Sequence, residues 1–146
     1  MFHTSCIEIN EAAFRQNIAY LRQKTGPDTR FSSVIKGNAY GHGIETILPM
    51  AESCGVDHFS VFSADEALRA SEVRSPGSDI MIMGMIDDYE LEWAIESGIS
   101  FYVFEMERLE AAVRAANKTG QKARIHIELE TGMYRTGFNK TELEIA

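Results

Sequence analysis

Apolar positions along this chain follow two alternating rhythms. Short, nearly continuous apolar or alternating runs occur at Phe31–Ile35, Phe59–Phe62, Ile80–Met83, Phe101–Phe104 and Arg124–Leu129. Each of the first four gives way to a segment with one apolar stripe at helical spacing: Ile44–Ser53, Ala64–Val73, Asp87–Glu96 and Met106–Asn117. Leu91, Ala94 and Ile95 share one such stripe, and Leu109, Val113 and Ala116 another. Ahead of the repeat, alternation over Thr4–Ile9 predicts a short strand. Asn10 then predicts the N-cap of a helix whose apolar face is Phe14, Ile18 and Leu21, ended by Gly26-Pro27-Asp28. Thr141–Ile145 predicts the start of a further helix.

The strand centres Val34, Val61, Ile82, Val103 and Ile127 are separated by 21 to 27 residues. Strands alternating with helices at that spacing predict βαβ units and a parallel sheet. Ile80–Met83 and Phe101–Phe104 are apolar on both faces, as strands covered by helices are. No linker or low-complexity tract divides the sequence. The expected fold is therefore α/β, either opened out with helices on both faces or part of a (β/α)8 TIM barrel with parallel strands. Closing a barrel takes roughly 250 residues, so the barrel reading expects residues 1–146 to be the amino-terminal portion of a longer protein, truncated after about five βα units.

Composition narrows the function classes. The sequence is 45% hydrophobic and 25% charged, with a formal net charge of -8. That balance argues against nucleic acid as a partner, because phosphate backbones require clustered Lys and Arg. Neither a membrane span nor a secretory leader is indicated, so the cytoplasm is the expected location. Cys6 and Cys54 read as separate free thiols. Neither His42 nor His126 has a second histidine at metal spacing, so no metal is expected and neither receives a role. Met81, Met83 and Met85 are expected to pack the core or line the mouth of the sheet.

Two stretches carry candidate chemistry. The first is Ser33–Gly43, SVIKGNAYGHG, in which β-formers stop at Lys36 and a glycine-bearing turn with Tyr40 follows. The end of a buried strand is a setting in which a lysine amine can serve as a Schiff-base nucleophile, the alternative being a surface lysine. The second is Arg124–Phe138, RIHIELETGMYRTGF. Its alternation sets Ile125, Ile127 and Leu129 on one face and Arg124, His126, Glu128 and Glu130 on the other. In a barrel the apolar set would pack on helices and the polar set would point inward, with Arg135 on a loop above the mouth. The alternative is a half-exposed strand and an ordinary turn.

SVIKGNAYGHG followed about a hundred residues later by ETGMYRTGF resembles the alanine racemases, a pyridoxal-phosphate family built on a barrel plus a β domain. The resemblance covers essentially the whole chain and implies an isomerase, most simply one exchanging L- and D-alanine. It implies Lys36 as the Schiff-base lysine and one of two catalytic bases, Tyr40 as a donor to the cofactor phosphate, and Arg135 beside the cofactor and the substrate carboxylate. It also implies a homodimer, with the second base, a tyrosine of the partner's carboxyl-terminal domain, and the remaining phosphate loops outside residues 1–146. The chain alone is then expected to hold pyridoxal phosphate weakly and not to turn over. Two positions depart from the family pattern: Glu128 stands where a lysine, often carbamylated, is usual, and Glu130 where Asp is usual. Glu128 is expected to support Arg135 through a charge-assisted hydrogen bond. A decarboxylase or broader racemase of the same fold, and a non-catalytic pyridoxal-phosphate module, are the competing readings.

Overall fold

The computed structural model describes residues 5–145. The apolar runs form one parallel sheet of five strands: β1 (Ser32–Val34), β2 (His58–Val61), β3 (Asp79–Ile82), β4 (Ser100–Val103) and β5 (Ile125–Ile127). Their spatial order is β1-β2-β3-β4-β5, and every neighbouring pair is parallel. Successive strands are joined by α3 (Ile44–Ser53), α4 (Ala64–Val73), α5 (Asp88–Glu96) and α6 (Met106–Thr119). A sheet that never reverses its strand order, wound by right-handed crossovers, keeps all those helices on one face. This is the winding of a (β/α) barrel, and it separates the fold from open sheets with helices on both sides. Helix α1 (Glu11–Thr25) precedes the sheet, α2 (Lys36–Tyr40) is a single turn after β1, and α7 (Lys140–Ile145) follows β5.

Local chemistry sets the helix starts. The Asn10 side chain accepts the Ala13 N–H at 3.0 Å. At the start of α5 the Asp87 N–H donates to Glu90 Oε2 (3.1 Å) and the Asp87 carbonyl accepts the Glu90 N–H (2.9 Å). The residues facing the helices are the core: Phe59, Val61, Ile80, Ile82, Phe101 and Val103 are fully buried. They pack against Leu48, Leu91 and the small Ala67, Ala70 and Ala94, which let the helices approach closely. Burying each large side chain contributes about 1.5–3 kcal/mol.

The alternate residues form the opposite, concave face. There His58 Nδ1 lies 2.7 Å from Ser32 Oγ, which lies 2.8 Å from Ser60 Oγ. Burial, and next the Arg30 charge, lower the pKa of His58. Met81 is buried, Met83 half-buried and Met85 exposed at the mouth, so both expected uses of the methionines occur.

Two expectations are corrected. Thr4 lies outside the described residues, but Ser5–Ile9 forms no strand, and Ile7 is exposed. A lone extended segment needs a partner edge, and a groove lined by Glu8, Ile9, Ser33 and Val34 runs between it and β1. At the other edge Ile125 is half-buried against α6, whereas Ile127 and Leu129 are nearly half exposed. The period-2 face assignment holds, but no helix lies over that end of β5 among the described residues. None of the described helices is long and apolar enough to cross a membrane.

Candidate active site

Lys36 stands at the carboxyl end of β1, half-buried, on the concave face by strand parity. The preceding Ile35 is buried among the helices, and its N–H donates to Ser60 O at 2.8 Å. Immediately afterwards the chain turns left-handed. Gly37, Asn38, Ala39 and Tyr40 have φ of 62°, 54°, 53° and 54°. Left-handed helical backbone costs about 1–2 kcal/mol for each residue bearing a Cβ, so three in a row persist only where neighbours enforce them.

Those neighbours are identifiable. Ala39 is buried, and its carbonyl accepts from the His42 N–H (3.1 Å), with His42 Nδ1 at 2.8 Å. Asn38 is half-buried and bonded through both backbone and side chain. Its N–H donates to Glu66 Oε1 (2.9 Å), and its carbonyl accepts from the N–H of Gly43 (2.9 Å). Its Oδ1 accepts from Arg69 Nη2 (2.7 Å) and the Ile44 N–H (3.2 Å). The turn brings Lys36 and the exposed ring of Tyr40 to one cavity with Gly37, Phe62 and Glu66. Among the described residues, Lys36 enters no ion pair.

The second stretch builds a closed loop. The Glu128 N–H donates to Val103 O (2.9 Å), extending β5 by one residue, and the carboxylate accepts the Thr136 hydroxyl at 3.0 Å. Glu130 N–H donates to Phe138 O and Phe138 N–H to Glu128 O, at 3.0 and 2.8 Å, while the Phe138 ring is buried. Gly137 has φ of 113°, and a Cβ there would stand 2.7 Å from Glu130 N, so this crossing admits only glycine. The Glu130 carboxylate accepts the N–H of Gly132, and that of Arg135 at 3.3 Å. Those backbone donors, Gly132 foremost, hold its pKa below the usual carboxylate value.

Arg135 is exposed on this loop, as expected. The expected Glu128–Arg135 bond does not form: the Arg135 backbone turns towards Glu130, and Thr136 faces Glu128 instead. Lys36 and Tyr40 follow one edge strand, and Glu128 and Arg135 the other; the cavity of the first pair is not lined by the second. Sequence reasoning read Asn38 only as part of a ligand-handling turn and passed over Glu66 and Arg69. The available signal was Ser63-x-x-Glu66, the pattern of a capping box, whose glutamate reaches instead to the Phe62 N–H and to Asn38. No group of three or more His, Cys, Asp or Glu that could hold a metal occurs among the described residues.

Comparison with known proteins agrees with this fold and shows the family. The family model for the alanine racemase N-terminal domain matches residues 9–146. An alanine racemase from Methanococcus maripaludis is 33% identical over 138 residues, 93% of this chain and 36% of that protein. One from Desulforamulus reducens is 32% identical over 141 residues, 95% of this chain and 37% of that protein. The crystal structure of alanine racemase from Bartonella henselae with covalently bound pyridoxal phosphate has a TM-score of 0.86 and 29% identity, covering 94% of this chain and 40% of that one. The chain thus spans little more than a third of the length of the curated relatives it matches.

Proposed function

The chain belongs to the family of alanine racemase N-terminal domains, and from that premise we propose that residues 1–146 are the amino-terminal portion of the barrel domain of a pyridoxal-phosphate-dependent racemase interconverting L- and D-alanine. Lys36 and Tyr40 sharing one cavity at the carboxyl end of a parallel sheet is the observation that carries this reading, because barrel enzymes do their chemistry there.

The residues present fit the cofactor. Its aldehyde calls for a primary amine without a competing carboxylate, and its phosphate for polar donors. Lys36 offers the first. Asp65 and Glu66 also line its cavity, but Glu66 is taken up by the Asn38 and Phe62 N–H groups, and Lys36 enters no ion pair among the described residues. The Tyr40 hydroxyl offers one of the second, and the space beside Gly37 is open. When bound, the cofactor supplies an electron sink for the carbanion left as the α-proton departs. Lys36 would hold it and, once its amine is free, would carry the proton on its own side of the substrate. Tyr40 donates to the phosphate. Arg135 offers a planar fork to the substrate carboxylate, and Glu128 steadies the Arg135 loop through Thr136. The second base and the remaining phosphate contacts come from outside residues 1–146, in a cytoplasmic homodimer.

The test is chemical trapping in the full-length protein: incubation with pyridoxal phosphate, borohydride reduction and mapping by mass spectrometry. An adduct confined to Lys36 is expected. An unmodified Lys36, with label scattered over other lysines, overturns the reading. Racemisation assays across a panel of amino acids then separate alanine from broader specificity.

A further inference from the structure

We propose that Glu66 and Arg69, on the first turns of α4, are positioning residues for Lys36 and Tyr40, acting through a clamp on Asn38. For what Lys36 and Tyr40 do, the inference rests on the racemase reading above; for how they are held, it rests on hydrogen-bond geometry alone.

Asn38 lies two residues from each of them, at the centre of the left-handed turn. The two oxygens of Glu66 divide between two elements of the cavity wall: Oε1 takes the Asn38 N–H and Oε2 the Phe62 N–H, both at 2.9 Å. One carboxylate therefore fixes the turn after β1 against the end of β2. Arg69 works from the other side. Its Nη2 donates to Asn38 Oδ1 (2.7 Å) and to Glu45 Oε2 (2.9 Å), while its Nε donates to Glu45 Oε1 (2.8 Å). The planar guanidinium spans both partners, which a lysine ammonium lacks the fork to do.

A purely structural role accounts poorly for this arrangement. Helix α4 is already anchored by the buried stripe Ala64, Ala67 and Ala70, which makes no use of Glu66 or Arg69. What the two charged residues add at the turn is one bond to the backbone N–H of Asn38, which stands in an unfavourable conformation, and one to its side-chain Oδ1. Without them the turn is free to relax, and the Lys36 amine and Tyr40 hydroxyl lose their fixed separation.

Glu66→Gln and Arg69→Lys, made in the full-length protein, test the clamp. Glu66→Gln retains one good acceptor where two N–H groups now bond, and Arg69→Lys retains the charge without the fork. In the cofactor-free protein, hydrogen exchange over residues 36–44 is expected to accelerate by about tenfold or more, with β2 and α4 still protected. Affinity for pyridoxal phosphate is expected to fall by about 10–100-fold, the scale on which misplacement of reacting groups is felt. Exchange over 36–44 at the parent's rate in both variants overturns the proposal. So does equal loss of protection throughout α4, or failure of both variants to fold, since either would make the pair a structural brace. Absence of any Lys36 adduct in the parent sinks the racemase reading alone. The exchange measurement needs no cofactor and still judges the clamp.

Discussion

Arg124 reaches past β4 to place Nη1 2.7 Å from Oδ1 of Asp79 at the start of β3, and Arg30 meets the other oxygen of the same carboxylate, also at 2.7 Å. One aspartate thus ties the feet of β1, β3 and β5, alternate strands of the sheet, as the side-chain layers of a barrel do. The Arg124 hydrogen bond, followed by that of Arg30, lowers the Asp79 pKa from 3.8 to about 2. A shift of that size corresponds to at most about 2.5 kcal/mol, and exposure of the two guanidinium groups reduces it to about 1 kcal/mol. Because the folded-state value is the lower one, this stability is present above the unfolded pKa near 3.8 and is lost as pH falls through about 2. Asp79→Asn is expected to cost about 1 kcal/mol in urea denaturation at neutral pH. The gap from the parent should close between those two pKa values, and a gap that persists below both would remove the ionic explanation.

Tyr40→Phe separates a site role from a packing role. The ring is 64% exposed, so the melting temperature is expected to stay where it is. Loss of one hydrogen bond to a charged phosphate is worth about 1.5–3 kcal/mol, which predicts at least about tenfold weaker retention of pyridoxal phosphate in the full-length protein. Equilibrium titration of the cofactor measures this. Unchanged affinity would take Tyr40 out of the phosphate site.

Much of the fold was legible because each of its rules is local. Ile44–Ser53 and Ala64–Val73 follow from apolar stripes and end where the stripes end, and five strands emerge within one or two residues of their expected places at most ends. The strand expected at Thr4–Ile9 failed for a non-local reason, since alternation gives a segment the capacity to pair and does not supply the partner. The site was legible as residue types but not as connections. Lys36 and Tyr40 stand out in one short motif, yet nothing in SVIKGNAYGHG announces three consecutive left-handed residues with side chains. That conformation is held by local bonds from His42 and Gly43 and by Glu66 and Arg69, about thirty residues downstream. The Glu128–Arg135 pairing was expected and does not form for a similar reason, because one backbone turn decides whether Arg135 or Thr136 faces the carboxylate.

Arg108 is a buried cation with incomplete hydrogen bonding. It is 5% exposed in α6; its Nη1 lies 3.2 Å from Asp88 Oδ1, and its Nε has no hydrogen-bond partner. The Asp88 side chain is 70% exposed, so the pair joins a desolvated cation to a well-hydrated anion. Desolvation of the guanidinium and an unpaired N–H then outweigh the attraction, the situation in which an apolar residue of similar length does as well or better. Arg108→Met is expected to be neutral or to stabilise by about 1 kcal/mol, whereas Arg108→Ala leaves a cavity and is expected to cost about 1–3 kcal/mol. The surrounding acids add a sign for salt. Asp87, Glu105 and Glu107 line the same cavity as Arg108, so removing its charge leaves them repelling one another. Screening relieves that repulsion, and the advantage of Arg108→Met should therefore grow as salt is raised. Urea denaturation of the parent and both variants at low and high salt reads all three effects. A loss of more than about 1 kcal/mol in Arg108→Met at high salt would mean that the ion pair, despite its exposed partner, outweighs the desolvation of the cation.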